Sequence, residues 1–226
     1  MNLFDILGPV MVGPSSSHTA GAVRIGRIGR RLLGEGTPAS ARITLYGSFA
    51  ATGKGHGTDR AIIAGLLGMQ PDDERIAVSF AEAERKGMDF SFHSSSMSGE
   101  HPNTAKLELV GKKTGRELSL VAASLGGGRI MVVEMNGLRV SFSGDLPTLI
   151  VQNRDQPGHV SDVASMLAHK NVNIATLHLY RDHPGGNAVM IIETDKPVPR
   201  EGIAWLERME GISRVICVEA ESAAAP

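Results

Sequence analysis

Apolar and polar positions in the first part of the chain predict helices mixed with short strands. The clearest helix follows Gly21, where apolar residues recur at roughly helical spacing among arginines. Its apolar positions are Val23, Ile25, Ile28 and Leu32, and its arginines are Arg24, Arg27, Arg30 and Arg31. Strands are predicted over 42–46, 106–109, 117–123, 129–135 and 138–142, and an apolar helix over 61–67 that Thr58 or Asp59 caps. The last two strands form a predicted hairpin around Asn136-Gly137.

Residues 71–99 are polar and rich in charge and serine, and no element is assigned there. Within them, His93-Ser94-Ser95-Ser96 is interpreted as a mobile surface loop. This segment is therefore not counted among the candidate sites.

After residue 147 the pattern becomes regular. Strands are predicted over 148–153, 174–180, 188–193 and 213–218, and helices over 160–169 and 200–209. Turns at Asp155-Gln156-Pro157-Gly158 and Asn171-Val172-Asn173 precede the first helix and the second strand. The order is βαββαβ, which is the split ferredoxin-like unit.

The chain is therefore predicted to be an α+β protein of two domains. An α/β domain covers 1–143, a ferredoxin-like domain covers 147–220, and a frayed tail covers 221–226. A length of 226 residues accommodates two domains. The composition, with 42% hydrophobic and 21% charged residues, is close to the globular average.

Charge and targeting signals narrow the function classes. The net charge of −1 gives no electrostatic argument for nucleic-acid binding. No segment reaches the roughly eighteen uninterrupted apolar residues of a membrane helix. Residues 1–7 lack a basic leader and a cleavage site, which favours a cytoplasmic protein. The lone Cys217 agrees, because no disulfide can form within the chain.

Candidate chemistry begins at the start of the first helix, in Gly13-Pro14-Ser15-Ser16-Ser17-His18-Thr19-Ala20-Gly21. The first turn of a helix has unpaired N–H groups and a partial positive charge, so it stabilises a carboxylate or phosphate. Serine and threonine are also ordinary helix caps, and a capping role alone is the competing interpretation. The added imidazole of His18 favours an anion site.

A second polar segment, residues 46–59, follows a strand and precedes a helix, as a nucleotide-binding loop does. The spacing does not fit that motif, because five residues separate Gly47 from Gly53 and a glycine follows the lysine. The dinucleotide fingerprint is absent as well. We therefore predict a flexible loop, with a tight turn of no further function as the alternative. The polar side chains that this loop would present are Lys54, His56 and Asp59.

Two further polar segments complete the candidates. Glu100-His101-Pro102-Asn103-Thr104 presents a histidine beside amide and hydroxyl groups, and 124–128 offers unhindered backbone N–H groups at its glycines. A zinc site built from His18, His56 and His101 is conceivable, although no His-Glu-x-x-His helix is present. A single cysteine cannot hold an iron–sulfur cluster conventionally. No metal site is predicted in this chain.

The C-terminal part resembles the ACT domain, an amino-acid-sensing module of many metabolic enzymes. The resemblance rests on Asn153-x-Asp155-x-Pro157-Gly158 after the first strand and on Asn171-x-Asn173-Ile174 before the second. It implies that an amino-acid effector binds near Asp155, Gly158, His159 and Asn173. It also implies a homodimer, since ACT domains usually act in pairs. Many ACT domains bind no effector, so binding and pairing are separate expectations.

The N-terminal part looks like the beta region of iron–sulfur-dependent L-serine dehydratases, over nearly all of residues 1–143. The likeness is carried, in order, by Gly13-Pro14-Ser15-Ser16-Ser17-His18-Thr19, Tyr46-Gly47-Ser48, Thr52-Gly53-Lys54-Gly55-His56 and Gly126-Gly127-Gly128. Without a cysteine-rich region, the chain is similar to the separate beta subunit of the two-chain enzymes. It departs from relatives at Gly57, where they often carry a second histidine. The implied fold is the allosteric substrate-binding type, which some phosphoglycerate dehydrogenases share.

The resemblance implies a subunit of an L-serine ammonia-lyase, which converts L-serine to pyruvate and ammonia. A cysteine-bearing alpha subunit would ligate a 4Fe-4S cluster that acts as a Lewis acid on the serine hydroxyl. The implied catalytic residues are His18, His56 and His101. The implied substrate-binding residues are Ser15, Ser16, Ser17, Thr19, Lys54, Asp59 and Asn103. The isolated chain would be inactive.

Two other function classes stay open. The first is a purely regulatory module that senses an amino acid or another anion, with all chemistry on a partner. The second is a self-sufficient lyase that uses pyridoxal phosphate, with Lys54 as the Schiff-base lysine. No familiar lysine motif for that cofactor surrounds Lys54.

Overall fold

The computed structural model describes residues 10–95 and 101–220. The chain divides into two compact units between Gly137 and Leu138. Both units contain helices and strands, which confirms the α+β class. The expectations for Glu100, Ser96 and the tail 221–226 fall outside the described residues.

The N-terminal unit starts with a π-helical turn at Ser16–Gly21, which runs directly into helix α1. Its elements are α1 (Ala22–Leu33), β1 (Ser40–Tyr46), α2 (Gly47–His56), α3 (Thr58–Leu66), a 3-10 turn (Glu74–Val78), α4 (Ser79–Arg85), β2 (Asp89–Ser95), β3 (Asn103–Val110), β4 (Glu117–Gly126) and β5 (Arg129–Met135). Strand β6 (Leu138–Phe142) follows a two-residue turn. Asn136 and Gly137 in that turn have φ values of 51° and 81°, as the predicted hairpin requires.

The strands of this unit pair in the order β2-β1-β3-β4-β5. β1 and β2 are parallel, whereas β1–β3, β3–β4 and β4–β5 are antiparallel. Alternate side chains of each strand point to opposite faces. The inward positions are apolar and fully buried, for example Ile43 opposite Leu107.

Helix α1 packs on the inner face of the sheet. Its Gly29 lies against the side chains of Leu107, Leu109 and Leu120, so the helix can approach the strands closely. Helix α3 packs on α1 through Gly26 and Gly65. A Cβ atom at either glycine would overlap the backbone of the other helix. Two glycines thus set the distance between α1 and α3.

The segment 46–59 is helical, and the predicted flexible loop is wrong. Helix α2 follows β1 at once and ends at His56, and α3 starts at Thr58. Gly57 between them has a φ of 70°, which glycine adopts at little cost and which ends α2. Gly57 is also the residue that precedes α3, so the predicted capping by Thr58 or Asp59 is wrong as well.

Residues 71–95 contain elements that the sequence did not indicate. They form the 3-10 turn, α4 and the edge strand β2. His93, Ser94 and Ser95 belong to β2, so the surface-loop interpretation is wrong for these three residues. Their side chains are exposed because β2 is the last strand of the sheet on that side. Only Phe90 and Phe92 alternate as apolar residues in β2, and 93–95 are polar, so the pattern from which strands are predicted is short.

The C-terminal unit has the predicted βαββαβ order. Its elements are β7 (Thr148–Arg154), α5 (His159–His169), β8 (Ile174–Arg181), β9 (Asn187–Thr194), α6 (Arg200–Leu206) and β10 (Ile212–Val218). The antiparallel sheet has the strand order β10-β7-β9-β8. Buried Val163, Leu167 and Leu206 of the two helices pack with Leu149 and Met190 of the sheet. This is the ferredoxin-like arrangement that the sequence predicted.

Among the described residues, none of the helices has the length and apolar character needed to cross a membrane.

Candidate functional site

The first wall of the candidate site is the turn that precedes α1. Ser15 is extended, with φ −143° and ψ 123°, and it caps the π-helical turn. Its Oγ accepts the backbone N–H of His18 at 3.3 Å, and its carbonyl accepts that of Thr19 at 2.8 Å. The turn buries His18 and leaves Ser15, Ser16 and Ser17 partly exposed. Single π-helical turns of this kind are frequent at functional sites.

His18 lies at the centre of the site, and hydroxyl groups approach both nitrogens of its ring. Ser15 Oγ lies 3.4 Å from Nδ1. On the other side, Thr52 Oγ1 lies 3.1 Å and Ser48 Oγ 3.3 Å from Nε2. Only 9% of His18 is exposed, so its orientation is fixed by these partners. A fixed imidazole of this kind can donate or accept a proton at a defined place.

Two rings flank the imidazole of His18. Phe49, which is fully buried, meets it edge-on with ring centroids 5.2 Å apart. The ring of His56 lies 4.9 Å from it, tilted by 40°. Burial lowers the pKa of His18, and the neighbouring His56 lowers it further, against a smaller opposing effect of the Ser48 backbone. His18 is therefore neutral near pH 7 and able to accept a proton.

One face of α2 forms the second wall. Ser48, Thr52 and His56 are spaced four residues apart, so their side chains lie on the same side of the helix. Sequence reasoning included His56 but missed Ser48 and Thr52. Their four-residue spacing was the available signal, but it has meaning only in a helix.

The glycine-rich turn after β4 forms the third wall. Ser124 Oγ donates to the Ser17 carbonyl at 3.0 Å, and the Gly127 N–H donates to Ser16 Oγ at 3.3 Å. Gly126, Gly127 and Gly128 have φ values of 88°, 62° and 78°, a run that only glycines adopt readily. The turn therefore holds the serine segment in place through these two hydrogen bonds.

Residues 101–103 lie at the N-terminus of α2. The carbonyl of Pro102 accepts the Ser48 N–H at 2.6 Å, so it pairs one of the orphan donors of the first turn. Asn103 forms a bridge with Gly47, and its N–H donates to His101 Nδ1 at 3.2 Å. The Asn103 Oδ1 atom is buried without a hydrogen-bond partner among the described residues. The structure thus brings His101 and Asn103 to the helix that contacts His18.

The remaining predicted residues, Lys54, Asp59 and Thr19, make no described side-chain contact with the His18 ring. Lys54 is exposed on α2, two residues from both Thr52 and His56, and therefore off the face that they share. Asp59 lies in the first turn of α3 and accepts the Arg60 N–H at 2.8 Å. No hydrogen bond or ring contact between described residues joins Lys54 or Asp59 to His18. The Thr19 hydroxyl is buried and has no partner among the described residues.

The outer face of the sheet carries a cleft of about 530 Å³. Arg42, Asp89, Glu108 and Ser119 are among the residues that line it. It contains none of the predicted site residues. The histidine-centred site is distinguished from this cleft by its convergent polar side chains.

Comparisons with known proteins show the family of the chain. The family model described as serine dehydratase beta chain matches residues 2–87, and the ACT domain model matches 147–209. The probable L-serine dehydratase, beta chain, of Bacillus subtilis is 43% identical over 214 residues, which are 95% of this chain and 96% of that protein. The chain belongs to the L-serine dehydratase beta-chain family.

Two further proteins are similar to this chain. The L-serine dehydratase, beta chain, of Peptoniphilus asaccharolyticus is 37% identical over 86% of this chain and 87% of that protein. A D-3-phosphoglycerate dehydrogenase of Methanocaldococcus jannaschii is 28% identical over 125 residues, 55% of this chain but 23% of that protein. The first of these covers both units of the chain.

The C-terminal unit brings together only three of the four predicted effector residues. Asp155, Gly158 and His159 lie between β7 and the first turn of α5. Asn173 precedes β8 at the opposite end of the sheet. Asp155 accepts from Arg181 Nη1 at 2.8 Å and from the Gly185 N–H at 3.0 Å, and these bonds lower the pKa of its carboxyl. Asn173 donates to Asp195 at 2.7 Å. Gly158, with a φ of 104°, precedes α5.

The fourth of these residues, His159, is the first residue of α5. It is 7% exposed, and neither ring nitrogen has a hydrogen-bond partner among the described residues. Its Nε2 faces Gly211, where a Cβ atom would lie 2.6 Å away. Asp155 and Asn173 are thus engaged in internal hydrogen bonds, whereas His159 has unused bonding capacity.

The described residues of this chain do not form a metal-binding site. No group of three or more His, Cys, Asp or Glu side chains among residues 10–95 and 101–220 could hold a metal ion. His18, His56 and His101 thus do not form the conceivable zinc site. Cys217 is half-buried in the C-terminal unit, where burial raises the pKa of its thiol. An iron–sulfur cluster therefore does not fit the described residues of this chain.

Proposed function

We propose that this chain is the beta subunit of a two-chain L-serine dehydratase and supplies one part of an active site that an alpha subunit completes. The observation that carries the proposal is His18: a buried, neutral imidazole held among hydroxyl groups at the start of α1. Close relatives are named as beta chains, which supports an alpha partner. The substrate would be L-serine and the products pyruvate and ammonia.

His18 acts as acid and base in this proposal. Serine loses the proton of its α-carbon, and the electron pair of that C–H bond forms a double bond while the β-hydroxyl leaves. The lost proton and hydroxyl together make water, and the aminoacrylate that remains hydrolyses to pyruvate and ammonia. A neutral imidazole can take the α-proton and return it to the leaving oxygen. His56 and His101 are the further acid–base candidates.

The serine turn and the start of α2 would bind the substrate. Ser15, Ser16 and Ser17 are partly exposed and present hydroxyls at the turn before α1, which suits a carboxylate. The buried and unpaired Oδ1 of Asn103 suits the substrate ammonium. Lys54, Asp59 and Thr19 are weaker candidates, because no described contact joins them to His18.

The partner would hold the 4Fe-4S cluster. The described residues of this chain do not offer its ligands. When bound, such a cluster supplies a Lewis acid for the departing hydroxyl. This chain would contribute proton transfer and substrate orientation beside it.

The test is serine turnover by the complex of this chain with its cysteine-bearing partner. His18→Ala is expected to lower kcat by about 10²- to 10⁴-fold, the usual contribution of a positioned acid–base group. His93→Ala is the matched control, because His93 is an exposed histidine of the same unit on the edge strand. Turnover by His18→Ala within a few-fold of the control would remove His18 from the chemistry.

We also propose that the ACT domain binds an amino-acid effector at His159. The observation that favours this site is a histidine 93% buried with two unpaired ring nitrogens, since buried polar groups normally have partners. Asp155 and Gly158 lie in the turn that leads into α5, and pairing of two such domains would complete the site. Titration calorimetry of the isolated chain with L-serine tests it. Binding that His159→Ala abolishes and His18→Ala preserves supports the effector site.

The same titration separates an enzyme subunit from a purely regulatory module. If L-serine binds the isolated chain tightly and His18→Ala leaves turnover of the complex unchanged, the chain is a sensor only. If His18→Ala abolishes turnover, the chain contributes to the active site whether or not the ACT domain binds an effector.

A further inference from the structure

The hydroxyl groups around His18 determine which of its two ring nitrogens carries the proton. A neutral imidazole has one N–H donor and one basic nitrogen, and the hydrogen bonds of the neighbours select between them. The neighbours differ at the two nitrogens. Thr52 and Ser48 face Nε2, whereas only Ser15 faces Nδ1.

Thr52 has one hydroxyl proton, and the structure accounts for it. Its Oγ1 donates to the carbonyl of Ser48 at 2.9 Å, and a carbonyl oxygen can only accept. The same Oγ1 lies 3.1 Å from Nε2 of His18. With its proton already used, Oγ1 can only accept from Nε2. The contact is a hydrogen bond only if Nε2 carries the proton.

Ser48 is compatible with this arrangement and does not determine it. Its Oγ lies 3.3 Å from Nε2 and 3.5 Å from Thr52 Oγ1. Its hydroxyl can turn toward Thr52 when Nε2 is protonated, or toward Nε2 when it is not. Thr52 is therefore the residue that selects between the two tautomers of His18.

Ser15 completes the account at Nδ1. Its Oγ accepts the backbone N–H of His18 at 3.3 Å, and its own proton is free to point at Nδ1, 3.4 Å away. In the Nδ1–H tautomer, the hydroxyl proton of Ser15 would have no acceptor in this cluster. The lone pairs of Thr52 Oγ1 and His18 Nε2 would also face each other with no proton between them. The Nε2–H tautomer pairs all of these groups.

We propose that Thr52 fixes His18 in the Nε2–H tautomer, so that Nδ1, on the side of Ser15, is the atom that takes the proton of the substrate. The catalytic part of this inference rests on the proposed function. In the proton transfer the α C–H bond of serine breaks, its electron pair stays on the substrate, and an Nδ1–H bond forms. The resulting imidazolium keeps its Nε2–H bond to Thr52. Thr52 is a positioning residue, and Ser15 holds Nδ1 until substrate replaces it.

The test is nitrogen NMR of the full chain labelled with ¹⁵N-histidine, at a pH where His18 is neutral. The His18 signals are assigned by their loss in His18→Gln. We expect a protonated Nε2 with a slowly exchanging N–H signal and an unprotonated Nδ1. Thr52→Val is expected to abolish the slow exchange and to move both nitrogen shifts toward an average of two tautomers. Thr52→Ser, which keeps the hydroxyl, is expected to restore the wild-type spectrum.

Ser48→Ala is the matched control, because it removes the neighbouring hydroxyl but keeps the carbonyl to which Thr52 donates. It is expected to leave the tautomer unchanged. Thr52→Ala replaces Thr52→Val if circular dichroism shows that the latter is unfolded. A protonated Nδ1 in the wild-type chain would overturn the inference. A wild-type spectrum in Thr52→Val, or in Thr52→Ala where it replaces Thr52→Val, would overturn it as well. Loss of turnover in His18→Ala is a separate measurement, so either proposal can fail without the other.

Discussion

The rings of His18 and His56 lie 4.9 Å apart, one in the turn before α1 and the other at the last residue of α2. Two imidazoles at this distance do not carry charge together easily, because like charges raise each other's free energy. Burial and this neighbour both lower the pKa of His18. The pair therefore provides a base that is neutral at physiological pH.

Replacement of His56 is expected to raise the pKa of His18. His56→Ala removes the neighbouring charge but leaves the burial of His18, so the pKa should move only part of the way toward its ordinary value of 6.5. NMR titration of the His18 ring measures it. His178→Ala, which removes an exposed histidine of the C-terminal unit, is the control. An unchanged pKa in His56→Ala would show that burial alone sets it.

Contact between α1 and α3 depends on Gly26. In Gly26→Ala the new methyl group would overlap the Ile62 carbonyl, so we expect a loss of about 1–3 kcal/mol in the free energy of unfolding. Gly55→Ala is the matched control, because Gly55 is helical and no atom lies within 4 Å of its Cβ position. It should gain roughly 0.5–1 kcal/mol. Thermal unfolding followed by circular dichroism distinguishes the two; equal stabilities would contradict the close packing.

Glu35 links the end of α1 to the turn between β3 and β4. Its carboxylate accepts the Thr114 hydroxyl and the N–H groups of Lys113 and Thr114, at 2.9 and 3.1 Å. The Thr114 hydroxyl, followed by these N–H groups, lowers the pKa of the carboxyl below its ordinary 4.5. Such a group stabilises the fold above pH 4.5, and the effect is lost as the pH falls through the folded-state pKa.

Glu35→Gln is therefore expected to unfold at a lower temperature than the wild type at pH 7. The difference should shrink as the pH falls below 4.5. Glu84→Gln, at an exposed position of α4, should show neither effect. A constant difference between pH 7 and pH 3 would mean that the Glu35 charge contributes nothing.

The His159 ring has no described hydrogen-bond partner, so its replacement by an apolar residue is expected to raise stability and to remove effector binding. Because both ring nitrogens are buried without described partners, His159→Leu should stabilise the chain without effector by about 1 kcal/mol. The same substitution should abolish any increase in melting temperature that an amino-acid effector causes. His169→Leu, on the exposed side of α5, is the control. Destabilisation by His159→Leu would indicate that His159 fills a packing role instead.

Local sequence patterns predicted the C-terminal unit almost entirely. Its central strands β7 and β9 are continuous apolar runs. Its helix α5 buries Val163 and Leu167, and its turns contain Gly158 and Asn171, whose φ values are positive. These signals act within a few residues of each other, so a sequence carries them fully. The same is true of the serine cap before α1 and of the Asn136-Gly137 turn.

Helix α2 was misread because its local signal is weak. Glycine lowers helix propensity, and this segment contains Gly47, Gly53 and Gly55. The helix is stable because Phe49 is buried and the Pro102 carbonyl pairs its first turn. Both are contacts with distant parts of the chain.

The sequence by itself determined the element order of the C-terminal unit and the presence of a serine-histidine turn before α1. The tertiary structure decided which of the scattered polar residues meet, because it brought Ser48, Thr52 and His56 to His18. No described hydrogen bond or ring contact joins Lys54 or Asp59 to His18. The physical reason is the separation along the chain of the residues that interact. Caps, turns and apolar periodicity depend on neighbours along the chain, whereas hydrogen bonds to the His18 ring depend on how α1 and α2 pack.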